Sequence, residues 1–191
     1  LSGGRSFRRP VVGLHPKQSS PVIHHHVFTF NPLAENTYLL WDTTKQALVI
    51  DPGCSDQAER EELRAFIEKT SLTVTGLLNT HGHIDHVLGN AFVARTYGVP
   101  LPLPAVKSYA AIWGFPDYEE LLPEILLKPG DTVRFGSAEL EVLAVPGHAP
   151  GHVAFVNRVE NLCFSGDVLF RGSIGRTDLP GGNYAQLMES I

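Results

Sequence analysis

The stretch Thr80-His81-Gly82-His83-Ile84-Asp85-His86 is the most informative part of the sequence, because it places three imidazoles and a carboxylate within six residues. It directly follows residues 74–78, a short apolar run typical of a buried strand. His81 and His83 are separated by one residue and can point the same way from an extended loop, whereas Asp85 and His86 fall where a helix would begin. A loop of this kind can offer two pairs of ligands to two neighbouring cations. The alternative is a solvated, histidine-rich surface turn.

Two later turns add candidate ligands to this cluster. His148 ends a predicted strand in the sequence VPGH, residues 145–148, and Asp167 ends another in FSGD, residues 164–167. Either residue alone would be an ordinary turn residue, but their order and the glycine beside each favour a common metal site. Imidazole nitrogen and carboxylate oxygen suit zinc, iron or manganese, and the order of intrinsic affinities does not choose among them.

The other histidines are not needed for this site. His152 is next to Val153 in a predicted strand, and we expect it to face a polar neighbour rather than a cation. The triplet at residues 24–26 is expected to be an exposed strand start.

The rest of the sequence alternates short apolar runs with turn residues, a pattern typical of strands grouped between helices. Hairpins are predicted to turn at Gly136-Ser137 and within residues 158–161. Ser55 is predicted to cap the first helix, with Asp56 and Glu59 in its first turn. The strand order favours an α+β class, with two β-rich halves packed sheet on sheet and helices outside. Predicted strands cover residues 27–30, 37–41, 47–50, 74–78, 99–103, 132–135, 139–145, 153–156 and 162–164, and predicted helices after the first cover residues 90–97, 107–115 and 184–189.

Composition narrows the class of protein. The chain has 191 residues and is 43% hydrophobic, which is enough for one domain with a real core. A net charge of −5 gives no basic field for nucleic acid or anionic membranes, so neither is an expected partner. With no long apolar run and no signal-peptide pattern, we expect a cytoplasmic protein.

The predicted domain boundary lies near residue 24. Residues 1–23 are basic, contain no acidic residue and are predicted to be a mobile N-terminal extension, followed by a domain over residues 24–191. Cys54 and Cys163 are far apart in sequence and are expected to be small buried hydrophobic residues rather than a disulfide.

Histidine-x-histidine-x-aspartate-histidine, then PGH, then GD resembles the metallo-β-lactamase superfamily over roughly residues 27–190, including Asp51-Pro52-Gly53. The resemblance implies a four-layer αβ/βα sandwich. It also implies that His81, His83 and His148 hold one metal, that Asp85 and His86 hold a second, and that Asp167 bridges the two.

The chain departs from the family at its end. The family supplies a further histidine to the second metal from a late strand, whereas this sequence stops at Ile191. The C-terminal strand and helix of the fold are therefore expected to be missing. Either the chain is truncated, or the second metal is held by three protein ligands, with weaker occupancy.

Within the superfamily, the sequences GDVLF at 166–170 and GSIGRTD at 172–178 are similar to a single-domain bacterial branch of glyoxalase II-like enzymes. Asn31-Pro32 and ENTY at 35–38 fit the same branch. The resemblance implies hydrolysis of a small-molecule acyl thioester, of the S-lactoylglutathione type, by a metal-bound hydroxide. Two divalent ions are implied, with zinc as the expected metal and iron or manganese as alternatives.

Residue roles follow from that resemblance. Asp85 would orient the hydroxide as well as bind metal, and is the predicted catalytic residue. Arg176 and Asp178 would either form an ion pair near the site or contact the substrate. Three alternatives stay open on this fold: a mononuclear iron persulfide dioxygenase, a lactone or β-lactam hydrolase, and a metal-binding module without turnover.

Overall fold

A computed structural model describes residues 22–100, 102–103 and 125–191 of the chain. The strands of this part are β1 His24–Phe30, β2 Glu35–Trp41, β3 Gln46–Ile50, β4 Thr73–Leu78, β5 Pro102–Leu103, β6 Ile125–Leu126, β7 Thr132–Phe135, β8 Ala138–Ala144, β9 Val153–Asn157, β10 Leu162–Phe164, β11 Leu169–Phe170 and β12 Ser173–Ile174. Its helices are α1 Gln57–Thr70, α2 Ile84–Val87, α3 Asn90–Tyr97 and α4 Tyr184–Ser190, and a 3₁₀ turn covers Gly166–Val168.

Two four-stranded sheets form the centre of the fold. The first has the order β1-β2-β3-β4 and the second the order β10-β9-β8-β7. Strands β3 and β4 are parallel and are joined through α1, so their carboxyl ends lie side by side. The residues that follow them, Asp51 and Asn79, therefore start at the same edge of the first sheet.

Alternating side chains of the two sheets build the core between them. Leu48 and Ile50 of β3 point toward the second sheet and pack with Phe135, Leu140 and Phe155. Successive side chains of a strand point to opposite faces of the sheet, so every second residue of β3 faces the second sheet.

The other faces of the sheets are covered by helices. Leu39 and Val49 contact Leu63 of α1 and Val93 of α3, whereas Leu187 of α4 packs on Ala154 behind the second sheet. The layers are therefore helix, sheet, sheet and helix. The predicted α+β class and αβ/βα sandwich are confirmed.

Local predictions were confirmed with small corrections. The hairpin turns at Gly136-Ser137 and within 158–161 connect β7 to β8 and β9 to β10. The strand predicted over residues 99–103 is limited to Pro102–Leu103. The helix predicted over residues 107–115 lies outside the described residues.

The predicted cap of α1 was wrong by one position. Asp56, not Ser55, is the N-cap, and its carboxylate accepts a hydrogen bond from the Glu59 amide at 2.9 Å. Ser55 instead donates both its amide and its hydroxyl to Glu59. A carboxylate at this position also benefits from the positive end of the helix dipole.

The two cysteines differ in environment. Cys54 is fully buried, as expected, but Cys163 is exposed. Its strand, β10, is the edge of the second sheet, and Cys163 lies on the face opposite buried Phe164. The prediction of a buried Cys163 was therefore wrong, because edge strands can leave one face uncovered.

The first described residues belong to the folded domain. Ile23 already packs in the core between the sheets, and β1 begins at His24, with the first two histidines of the triplet exposed. Residues 1–21 of the predicted extension lie outside the described residues, so the extension stays a prediction. Among the helices of the described residues, none is both long and apolar enough to span a bilayer.

Candidate metal centre

The edge at which β3 and β4 end supplies the first part of the site. The Asp51 amide donates to the Leu78 carbonyl at 2.9 Å, which extends the parallel pairing by one residue. Asp51 then leaves the strand with φ of +50°, a left-handed conformation that is costly for a residue other than glycine. The chain of β4 continues past Asn79 into the histidine loop.

Three of the predicted ligands meet through their ring nitrogens. His83 Nδ1 lies 3.0 Å from His81 Nε2 and 2.8 Å from His148 Nε2. All three rings are buried, and their candidate ligand atoms lie within 4.8 Å of one another. His148 comes from the loop after β8, so the site joins residues from both sheets.

Asp167 lies between this group and the remaining predicted ligands. Its Oδ2 is 3.5 Å from His148 Nε2, and its Oδ1 is 3.2 Å from His86 Nε2. Asp85 completes the second group, with Oδ2 3.6 Å from His86 Nε2. The structure therefore brings all six predicted ligands together, with one carboxylate between the two groups.

Hydrogen bonds behind the histidines fix which ring nitrogen carries the proton. The Thr80 hydroxyl donates to Asp51 Oδ2 at 2.5 Å, so its oxygen accepts from His81 Nδ1 at 3.0 Å. His148 Nδ1 donates to the Arg176 carbonyl at 2.8 Å. When Nδ1 carries the only proton of the ring, the Nε2 atoms of His81 and His148 hold lone pairs that point into the cluster.

This arrangement of protons fits a bound cation. Two ring lone pairs face His83 Nδ1, and that nitrogen can carry at most one proton, so both contacts cannot be good hydrogen bonds. A divalent cation among three imidazoles would accept all three lone pairs, and carboxylate oxygens would suit the same ions. The residues present fit the metal that the sequence implies.

Burial favours the neutral form of His81 and His83, which is the form that binds a metal. Burial, with the nearby His148 and His86, lowers the pKa of His83 to about 4. Burial also lowers the pKa of His81 well below its usual value, as do the surrounding histidines.

The second group is more strongly charged. Burial opposes the charged form of His86, but hydrogen bonds to Asp167 and Asp51 raise its pKa well above the usual value. Burial raises the pKa of Asp85, and the nearby His86 offsets part of this increase. Without a cation, a protonated His86 is therefore held between carboxylates.

Asp51 lies behind the cluster, at a position that the sequence signalled only as a strand end. Its Oδ1 accepts from the Thr80 amide at 2.7 Å, and its Oδ2 accepts from Thr80 and from His86 Nδ1 at 3.1 Å. Both oxygens are thus occupied behind the cluster, so Asp51 orients His81 and His86 instead of facing a cation. A DPG turn directly after a buried strand is the signal that could have identified it.

His152 has the polar neighbour expected from the sequence. Its Nε2 donates to the Ser165 carbonyl at 3.1 Å, and its ring stacks on His81 with centroids 4.4 Å apart. Burial lowers the pKa of His152 to about 3, so this neutral ring supports His81 from behind.

Arg176 and Asp178 form an ion pair with two contacts of 2.7 Å. Both side chains are exposed, at 61% and 68%. The ion pair that the sequence allowed is present, and their contact with substrate stays a prediction.

Two cavities of about 210 and 230 Å³ open on either side of Asp85 and Asp167. The first lies beside His86 and is also lined by Glu35, Tyr38 and Phe170. The second lies beside His83 and His148 and is also lined by Ile84, Arg176 and Leu179. A molecule that spans both cavities must pass the two carboxylates.

Several known proteins are similar to this chain in sequence and fold. GloC, a hydroxyacylglutathione hydrolase of Haemophilus influenzae, is 36% identical over 167 residues, which cover 82% of this chain and 77% of GloC. The crystal structure of BLEG-1 B3 metallo-beta-lactamase has a TM-score of 0.75 and 30% identity, covering 88% of this chain and 83% of that one. TTHA1623 in a di-iron-bound form has a TM-score of 0.69 and 37% identity, covering 86% and 83%. Residues 30–191 match the metallo-beta-lactamase superfamily, and the chain therefore belongs to that superfamily.

Proposed function

We propose that this protein is a metal-dependent hydrolase of acyl thioesters of the S-lactoylglutathione type. The observation that carries the proposal is the position of Asp167, whose two oxygens lie 3.2 Å from His86 and 3.5 Å from His148. A carboxylate between two ligand groups is the arrangement that two neighbouring cations need.

Two bound cations would supply a water of lowered pKa and would polarise the acyl carbonyl. We assign His81, His83 and His148 to one ion and Asp85 and His86 to the other, with Asp167 shared between them. Zinc is the expected metal, and iron is supported as an alternative by the similar structure in a di-iron-bound form.

Asp85 is the residue that we place closest to the chemistry. It lines both cavities, and its side chain is 17% exposed, so it can reach a substrate and a nucleophilic water. Its carboxylate would accept a hydrogen bond from that water and hold it toward the acyl carbon. His86, whose Nδ1 contacts Asp51, would present its Nε2 to the same cation as Asp85 and Asp167.

The leaving group explains why thioesters suit this site. A thiol of ordinary pKa, about 8.5, leaves as a thiolate with little need for a proton donor. The hydroxyacylglutathione hydrolase among the relatives supports a thioester. β-Lactam hydrolysis is the second candidate, because the similar BLEG-1 structure is described as a B3 metallo-beta-lactamase.

The test is turnover by the Asp85→Asn variant. We expect the wild-type protein to contain about two equivalents of metal and to hydrolyse S-lactoylglutathione, and the variant to lose at least about 100-fold in kcat, since a carboxylate that binds metal and orients water is removed. Asp131→Asn, at an exposed turn before β7, is the matched control and should keep wild-type turnover.

Three outcomes would contradict the proposal. Wild-type rates in Asp85→Asn would remove the role assigned to Asp85. Turnover of a β-lactam without turnover of any thioester would favour the second candidate. Oxygen consumption with glutathione persulfide, and one iron per chain, would indicate a persulfide dioxygenase.

A further inference from the structure

The turn between β1 and β2 is built to hold one leucine beside the candidate metal centre. Leu33 is 69% exposed, yet it lines both cavities. Among the described residues, Asp85 and Asp167 are the other two that line both. Leu33 therefore lies where the two cavities meet, next to the carboxylates.

This turn has little conformational freedom. Asn31 and Ala34 both have positive φ, of 54° and 57°, and Pro32 between them has a fixed φ. The Ala34 amide donates to the Asn31 carbonyl, and the Leu33 amide donates to Asn31 Oδ1, each at 3.0 Å. Such a turn fixes the direction in which the backbone presents its side chain, even though that side chain is exposed.

Asn31 also attaches the turn to the metal-binding loop. Its side-chain amide donates to the Gly53 carbonyl and to the Asp85 carbonyl, both at 3.0 Å. Its backbone amide donates to Glu59 of α1 at 2.6 Å. Gly53 permits this approach, because a Cβ there would lie 2.6 Å from the Asp85 carbonyl and 2.8 Å from Asn31 Nδ2.

Exposed apolar side chains join Leu33 in lining the first cavity, whose remaining lining is mostly polar. Leu169 and Phe170, on the hairpin after Asp167, line the cavity beside His86 and are 53% and 41% exposed. Exposed apolar side chains gathered at the mouth of a cavity indicate a surface that is covered by a ligand. A cavity of about 210 Å³ is small for a drug-sized ligand, so it suits a short chain.

We propose that residues 31–34 are a specificity element, in which Leu33 contacts the hydrocarbon chain next to the scissile carbonyl of an acyl thioester and Asn31 is the positioning residue. The inference rests on the proposed function, because a thioester has two halves that could occupy the two cavities. In this proposal, the protein distinguishes acyl groups by the contact between their apolar chain and Leu33.

The test uses binding, so that it does not depend on turnover. S-Hexylglutathione and S-methylglutathione are thioethers without a carbonyl, and their affinities for the purified metal-containing protein can be compared by calorimetry. We expect the wild-type protein to bind the hexyl compound about tenfold more tightly than the methyl compound, and Leu33→Ala to lose most of that ratio. Leu33→Met, which keeps a long apolar side chain, should retain it.

Val159→Ala is the matched control, because Val159 is 64% exposed on the turn between β9 and β10, away from both cavities. It should leave the ratio unchanged. Asn31→Gly, which tolerates positive φ but lacks the side-chain amide, should lower the ratio as Leu33→Ala does. An unchanged ratio in Leu33→Ala, or equal wild-type affinities for the two compounds, would overturn the inference. Absence of thioester turnover with a Leu33-dependent ratio would instead reject the proposed reaction alone.

Discussion

Glu35 is a buried carboxyl group beside the candidate metal centre. It is 4% exposed, and its Oε2 accepts a hydrogen bond from Thr37. Burial raises the pKa of Glu35 to about 9, against the opposing effect of His86 and with a further contribution from Asp51. Glu35 is therefore neutral at pH 7 and adds no negative charge to the carboxylates around it.

The raised pKa of Glu35 predicts that this residue makes the free energy of unfolding depend on pH. Since the folded pKa lies above the unfolded value of 4.5, the contribution of Glu35 is fully present below pH 4.5 and is lost as pH rises toward 9. We expect chelator-treated Glu35→Gln to become more stable than the wild type as pH rises, by up to about 1.4 kcal/mol per pH unit.

Urea unfolding at pH 5, 7 and 8.5 measures this difference. Glu62→Gln, at an exposed position of α1, is the control and should follow the wild-type curve. A constant difference between Glu35→Gln and wild type at all three values would show that Glu35 is ionised in the folded state.

Helix α1 packs on the first sheet, and its first turn contacts Asn31, which donates to the carbonyl of Asp85 in the metal-binding loop. Asp56 caps the helix, and Glu59 accepts hydrogen bonds from Ser55 and from the Asn31 amide. Its buried residues Leu63 and Ile67 pack on the first sheet. The helix therefore fixes both the crossover between β3 and β4 and the base of the Asn31 turn.

The cap predicts a loss of stability without a loss of metal. We expect Asp56→Ala to lower the free energy of unfolding by about 1 kcal/mol, because the Glu59 amide loses its acceptor. Gln57→Ala, one exposed position later, should change stability much less. Urea midpoints measure the effect, and elemental analysis should give the same metal content for all three proteins. A wild-type midpoint in Asp56→Ala would mean that the end of the helix frays.

The candidate metal centre joins the two halves of the molecule. His81, His83 and His86 follow β4 of the first sheet, whereas His148 and Asp167 follow β8 and β10 of the second. A cation held by both sets would link the sheets at one edge. Such a link stabilises the folded state, since the unfolded chain does not present these ligands together.

Removal of metal should therefore destabilise the whole domain. We expect a chelator to lower Tm, with a loss of about 2.7 kcal/mol if free metal had been at 100 times its Kd. His148→Ala should abolish most of the difference between chelated and untreated protein, and His25→Ala, at the exposed start of β1, should preserve it. Scanning calorimetry with and without the chelator is the measurement. Equal Tm values for the wild type under both conditions would contradict a structural contribution from metal.

Local patterns were enough to predict the histidine cluster and the positions of most strands along the chain. The cluster at residues 80–86 is contiguous in sequence. Strands with alternating apolar residues can be predicted from a few positions, as in the β7–β8 hairpin. The αβ/βα layering followed because two apolar sheets must cover each other and their outer faces.

What sequence patterns did not reveal were contacts between residues far apart along the chain. Asp51 contacts His86, 35 residues later, and reaches His81 through the Thr80 hydroxyl. Asn31 donates to the carbonyl of Asp85. Cys163 reads as a buried residue in sequence but faces outward on an edge strand. Such contacts depend on the packing of one sheet against another, which brings together side chains whose spacing carries no local signal.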